Sequence, residues 1–363
     1  MPQANRPSAR AHAPVLIFAI GAALLLATIL YLWHTNSGSA PPGQAQILYL
    51  SWDEQDTPQL YAASLSGEPP RALTDSEAGV AGYAVAPDGR AIAYATSAGD
   101  EGNSVWLVDR DGDNARQAFA CTGFVCAGLV WAPGGRRLVY ERQELPANEE
   151  AQGQSELWWL EPETGETRPV FAGEQPSVVG AGFSANGRWL SVVLPDEEIT
   201  RLHNLETGAS VTIPNEVAAP PAWHPSQEQL VSANIEYQGE QFAVHLYHVD
   251  VEDGEMTSLS DQVETSDGAP AWSPDGQYLA FGRRIPRTPI GRQIWVMAAD
   301  GSDSRQLTSD PDSNFGPPRW SPDGRQLLLQ RYQIDRPDTR PSIWLLDVDS
   351  GALREVAPAG FAP

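Results

Sequence analysis

The pentapeptide WSPDG occurs twice, at 272–276 and 320–324, and it narrows the fold more than any other feature. Weaker copies of the same stretch precede it: GYAVAPDGRAIAYAT, GLVWAPGGRRLVYER, GAGFSANGRWLSVVL and PPAWHPSQEQLVSAN. The residue before each turn is Val85, Trp131, Phe183, Trp223, Trp272 or Trp320, at intervals of 40 to 52 residues. Each unit closes on a second pattern: an apolar strand, an acidic or glycine turn, and a further strand. Examples are SVWLVDRDGDNARQAF, ELWWLEPETGETRPVF, QIWVMAADGSDSRQLT and SIWLLDVDSGALREVA. A period of this length marks a repeat architecture, in which a unit buries its apolar surface only against its neighbours.

Turn chemistry explains the pentapeptide. Proline presets φ for the first corner of a type I turn, aspartate suits the second, and glycine takes the left-handed position that starts the returning strand. The tryptophan ends the incoming strand, and its recurrence reads as packing between adjacent units. Four short strands per unit, repeated six or seven times, predict an all-β fold: a β-propeller of four-stranded antiparallel blades. Strands are named a to d from the axis outward, with the SPDG turn joining a to b. Complete units begin near Gly82, Gly128, Gly180, Pro220, Pro270 and Pro317, and a first unit over 46–75 holds strands b, c and d only. Seven outer hairpins favour seven blades over six or eight. The missing inner strand of blade one is expected from the other terminus, although the tail APAGFAP is barely long enough to supply it.

The pairing of WSPDG with IWVMAADGSDSRQLT, Ile294 to Thr308, resembles the PD40-type, WD40-like repeats of TolB propellers, relatives of the propeller domains of the prolyl oligopeptidase family. The resemblance covers residues 46 to 357 and implies a fold far more than an activity. TolB proteins carry an α/β domain before the propeller, for which the stretch between Trp33 and Ile47 leaves no room. Prolyl oligopeptidases carry an α/β-hydrolase domain, which the tail 358–363 does not provide, and no G-x-S-x-G nucleophile elbow occurs. The chain is therefore expected not to be an enzyme, and no cofactor is implied.

The N-terminus reads as an address. Residues 1–14 contain Arg6 and Arg10 and no acid, and they precede an uninterrupted apolar run from Val15 to Trp33. As a helix this run would reach roughly 28 Å, close to the hydrocarbon thickness of a bilayer. A transmembrane helix over 15–33 is expected, with the N-terminus cytoplasmic, a tether over 34–45 and the propeller outside. A cleaved signal peptide, with Gly38 and Ala40 at the cleavage site, is the competing reading, but its apolar region is normally only about 7 to 15 residues.

The formal charge is -24, with no lysine and 23 arginines. So acidic a surface repels nucleic acid, and the absence of lysine excludes Schiff-base chemistry on that residue. Cys121 and Cys126 are the chain's two cysteines and are disulfide candidates outside the cytoplasm. They are too few for a structural zinc site, and no metal site is expected. Asp109, Asp111 and Asp113 alternate like calcium-loop ligands but align with ordinary c–d turns. His245 and His248, three apart on a strand, point to opposite faces.

Charge is unevenly placed among the b–c loops, which share one face with the d–a loops. Blade six offers GRRIPRTPIGR and blade seven RYQIDRPDTRPS, which together hold Arg283, Arg284, Arg287, Arg292, Arg331, Arg336 and Arg340. Blade three offers Glu144, Glu149 and Glu150 on the same face. The arginines are candidate contacts for an anionic partner. The alternative is that they neutralise Asp261, Glu264, Asp267, Asp310 and Asp312 in the d–a loops. The expected role is a binding or scaffold module at the outer face of the cytoplasmic membrane, for an envelope protein, peptide or glycan. A hydrolase or lyase with its site in the central funnel and a purely structural subunit are the rival classes.

Overall fold

The computed structural model describes residues 30–32, 46–64, 69–145, 154–173, 176–239, 241–260, 265–336 and 338–358. Among them, strands form seven antiparallel sheets, so the propeller has seven blades. Blade one comprises Leu30–Leu32, Gln46–Trp52, Pro58–Ser64 and Arg71–Ala72; blades two, three and four span 80–122, 124–169 and 181–214. Blade five comprises Ala222–Trp223, Gln229–Gln238, Gln241–Asp250 and Met256–Ser258. In blade six the strands are Ser266–Trp272, Tyr278–Arg284, Gln293–Ala298 and Arg305–Gln306. The inner strand of blade seven is in two pieces, Ser313–Phe315 and Arg319–Trp320, followed by Gln326–Gln333, Ser342–Asp347 and Leu353–Ala357.

Every sheet is contiguous in sequence, and this corrects the expected closure. Blade one takes its inner strand from upstream, Leu30–Leu32 pairing with Gln46–Trp52, while Leu353–Ala357 stays the outer strand of blade seven. Ring closure therefore rests on side-chain packing: Ile47, Tyr49 and Tyr61 meet Leu328, Ile343, Leu345 and Ala357. Leu30–Leu32 belong to the span anticipated as helical, so those three residues are extended here. The rest of 15–33, the tether 34–45 and residues 359–363 lie outside the described residues. Among the described residues no helix is long and apolar enough to cross a membrane.

Inner strands of blades three, six and seven start four residues upstream of the expected unit boundaries, at Phe124, Ser266 and Ser313. A bulge between Gly268 and Ala271 and the interruption at 316–318 carry pairing past prolines that cannot donate to a ladder. Because a blade is covered on both sides, strands b and c are apolar on both faces. Leu279 and Phe281 of blade six pack on Val231 and Leu246 of blade five, whereas Ala280 between them faces Leu327 and Leu329 of blade seven.

In blades three, five, six and seven the recurrent tryptophan ties its blade to the one before. Trp131 Nε1 donates to the Ala84 carbonyl at 3.1 Å, Trp272 to Ala222 at 3.1 Å and Trp320 to Ala271 at 2.9 Å. Each acceptor immediately precedes the tryptophan's counterpart in the previous blade. Trp223 reaches the equivalent Gly182 carbonyl through a relay, donating to Ser191 Oγ at 2.9 Å, which donates onward at 3.2 Å. Below the tryptophan, Ser273 Oγ donates to Asp275 at 2.6 Å and accepts from the Tyr278 N–H at 2.9 Å. Ser321 repeats both bonds with Asp323 and Gln326. Gly276 and Gly324 both have φ of 70°, which closes the turn without strain. WSPDG is thus scaffold: a hairpin device and an interblade tie.

Candidate functional site

A cavity of about 1160 Å³ opens along the inner strands of blades five, six and seven. Its wall includes Pro221, Pro270 and Pro318, which carry carbonyls but no N–H, and the three tryptophans at 223, 272 and 320, whose N–H groups are already bonded within the scaffold. Charged donors come from Arg284, Arg287, Arg292 and Arg319. Among the described residues the sole carboxylate of the lining is Asp267, which is already paired.

That pairing divides the seven arginines singled out from sequence. Arg283 is buried and grips Asp267 bidentately, Nε and Nη2 each 2.7 Å from a carboxylate oxygen, while its guanidinium lies 4.7 Å from the Trp295 ring centroid. Arg331 repeats the arrangement over Trp344 at 5.0 Å, bonded to Asp310 and to Ser313 Oγ. Arg142, eleven residues after Trp131 as Arg283 is after Trp272, stacks on Trp158 at 4.8 Å. This Arg-on-Trp stack is a blade feature, and Asp267 and Asp310 are the acids foreseen by the neutralising alternative. Arg336 pairs with its neighbour Asp335, and Arg340 reaches Asp56 while stacking on Trp52 at 4.0 Å. Arg340 therefore fastens blade seven to blade one.

Arg284, Arg287 and Arg292 make no ion pair among the described residues. Arg284 and Arg287 are exposed on the blade-six b–c loop, which has no acid. Arg292 lies across Gly282: a Cβ built there would stand 2.1 Å from Arg292 Cδ. Counting from the tryptophan, the same position is Glu141 in blade three and Gln330 in blade seven, so the missing side chain is what admits Arg292. Burial pushes the Arg292 pKa down, and the neighbouring Arg284 charge adds to this.

Sequence reading missed Arg319. It precedes Trp320 on the innermost strand, where the other blades place Ala84, Val130, Gly182, Ala222 and Ala271. It remains accessible from the channel, yet the inner strands close around it and that burial lowers its pKa. It too makes no ion pair among the described residues. A charged residue in an inner-strand slot otherwise filled by Ala, Val or Gly was the signal available in the repeat alignment.

The remaining candidates are occupied structurally. Cys121 and Cys126 form a disulfide that joins the outer strand of blade two to the inner strand of blade three. Asp109 accepts from Asn114 Nδ2 at 2.7 Å within its turn, and Asp111 faces Arg71 of blade one at 3.6 Å. His245 is buried 4.0 Å from Glu236, whereas His248 meets Gln229. Among the described residues no group of three or more His, Cys, Asp or Glu could hold a metal ion. Glu144 lies on the described part of the blade-three loop; Glu149, Glu150, Asp261 and Glu264 lie outside the described residues. Glu141 is buried, accepting from the Gly180 N–H at 2.6 Å, and burial pushes its pKa up.

Known structures share the fold at low identity. TolB from Acinetobacter baumannii superposes with a TM-score of 0.52 at 14% identity, covering 86% of this chain and 63% of that one. A puromycin-hydrolyzing peptidase from Mycobacterium tuberculosis gives 0.64 at 14%, covering 92% and 54%. The β-propeller domain of the Trilobed protease from Pyrococcus furiosus, described as having an open velcro topology, gives 0.59 at 12%, covering 86% and 92%. This chain thus spans less than two thirds of the TolB and peptidase chains. No curated protein matches it. Residues 165–361, more than half of the sequence, match the TolB beta propeller domain, and the chain belongs to that family.

Proposed function

We propose that this protein is a binding module of the cell envelope, anchored in the cytoplasmic membrane by the apolar run that begins at Val15 and ends ahead of the Leu30–Leu32 strand, with its propeller outside, and that an anionic protein, peptide or glycan docks on the b–c loops of blades five to seven. The observation that carries this reading is Arg284, Arg287 and Arg292 without ion pairs beside a large cavity, in a chain of charge -24. Exposed pairs contribute only about 0 to 1 kcal/mol, so stability is a weak reason to place such charges together. Tyr237 and Phe242, exposed at the tip of the long blade-five hairpin, and Ile285 beside Arg284 give the same face an apolar component. A catalytic reading has less support: among the described residues the lining contains no histidine or cysteine, and its one carboxylate is held by Arg283.

The test is affinity capture with the full chain in detergent, beside an Arg284→Glu/Arg287→Glu variant that leaves the Arg283–Asp267 pair intact. A partner held by the wild type, released by salt and lost by the folded variant is the expected result. Equal retention by both proteins refutes this docking face.

A further inference from the structure

Arg292 is half-buried and Arg319 is exposed to the channel from an inner strand, so the two lie apart from the loop arginines and pose a separate physical question. Arg292 is laid flat across Gly282 near the end of the blade-six strand b, and Arg319 begins the second piece of the inner strand of blade seven, one residue before Trp320. Gly282 pairs with Gly268, and Ala280, two residues along, pairs with Ala271, the inner-strand counterpart of Arg319. At about 3.3 Å per residue the backbone levels that carry the two stations are about 7 Å apart along blade-six strand b. Much of the remaining wall is proline, alanine and tryptophan, and the carboxylate of Asp267 in it is already bonded to Arg283.

Partly enclosed cations without counter-ions cost free energy, and with Arg284 next to Arg292 the cost includes like-charge repulsion. A ligand bearing two or more negative groups relieves both terms at once, and each arginine–anion contact it makes is charge-assisted.

We infer that this cavity is a binding site for a small polyanion, a polycarboxylate or a bisphosphate, with one anionic group held by Arg284 and Arg292 and another by Arg319. The inference rests on the reading of the cavity as a binding site and names the chemistry that fills it. The offset of the stations selects ligands whose charged groups are separated, so a monoanion such as acetate cannot satisfy both. Gly282 acts as a positioning residue, because any side chain there displaces Arg292.

The experiment is a thermal-shift titration of the full chain with citrate and, separately, fructose 1,6-bisphosphate, at constant ionic strength with acetate as control. A saturable rise in Tm with one of the two is expected, and which one responds tells carboxylate from phosphate. Arg319→Gln and Arg292→Gln should each weaken apparent affinity about tenfold or more, equivalent to about 1.4 kcal/mol. Without ligand both variants should be at least as stable as the wild type, and Arg319→Lys should retain part of the response. No saturable response to either polyanion, or a response unchanged in Arg319→Gln and Arg292→Gln, overturns the inference. If the charge-reversed loop variant still loses its envelope partner in that case, the small-anion site alone is refuted and the docking face stands.

Discussion

The indole of Trp320 donates to the carbonyl of Ala271 in the preceding blade, 2.9 Å away, and Trp272 and Trp131 make the same bond one and four blades earlier. The repeated tryptophan is therefore an interblade tie as much as a core residue. Trp320→Phe, which keeps an aromatic ring but loses the donor, should cost about 1 kcal/mol; Trp320→Ala should cost about 3 to 5 kcal/mol. Urea denaturation at constant m-value measures both, and an unaffected Trp320→Phe would remove the bond from the account.

Ser191 is the sole link between Trp223 and the equivalent Gly182 carbonyl. Ser191→Ala should destabilise by about 1 to 3 kcal/mol, since it strands a donor and an acceptor at once. Trp223→Phe in the Ser191→Ala background should then cost less than in the wild type, a coupling that a double-mutant cycle reads directly.

Arg283 and Arg284 are adjacent in sequence and opposite in consequence. Asp267→Ala leaves Arg283 as an unpaired buried charge and should cost about 3 to 5 kcal/mol. Arg284→Gln breaks no ion pair and should leave stability within about 0.5 kcal/mol of the wild type. Thermal unfolding of the two variants side by side checks the division between scaffold and site arginines.

These pairs also show how far the sequence could be read. Period, turn chemistry and the W-S-P-D-G spacing specify blade number and strand order because each is local to one repeat. Blade closure was misplaced because Leu30–Leu32 lie in an apolar run whose composition suits a membrane helix as well as a strand. The arginine-rich loops were legible as a cluster, but which of them are engaged depends on partners such as Asp267, sixteen residues from Arg283 and in register with it only once strands a and b pair. Arg319 was hidden for the opposite reason: a lone arginine in a turn-rich stretch carries no signal until its slot is compared across blades.

Glu141 supplies a pH dependence. Its carboxyl is buried and its pKa lies above the ordinary 4.5, so the folded state binds the proton more tightly than the unfolded chain. The stability this contributes is complete below that value and is lost as pH rises through the folded-state pKa. Glu141→Gln, which can still accept from the Gly180 N–H, should flatten that loss and gain stability relative to wild type as pH rises through the folded-state pKa of Glu141. Denaturation midpoints across pH 4 to 8 test it; parallel curves for the two proteins would assign the pH dependence elsewhere.

Removal of the Cys121–Cys126 bond should be tolerated by the fold. The loop it closes is short, so Cys121→Ser/Cys126→Ser should cost about 2 kcal/mol, measured as a shift in denaturation midpoint.

The measurement that bears most directly on the central claim is partner retention by the full chain against the Arg284→Glu/Arg287→Glu variant, read across a salt series. The account predicts a partner retained by the wild type at low salt, lost as salt rises, and absent from a variant whose Tm matches the wild type. Retention that ignores both salt and charge reversal would contradict it and move the binding surface away from blades five to seven.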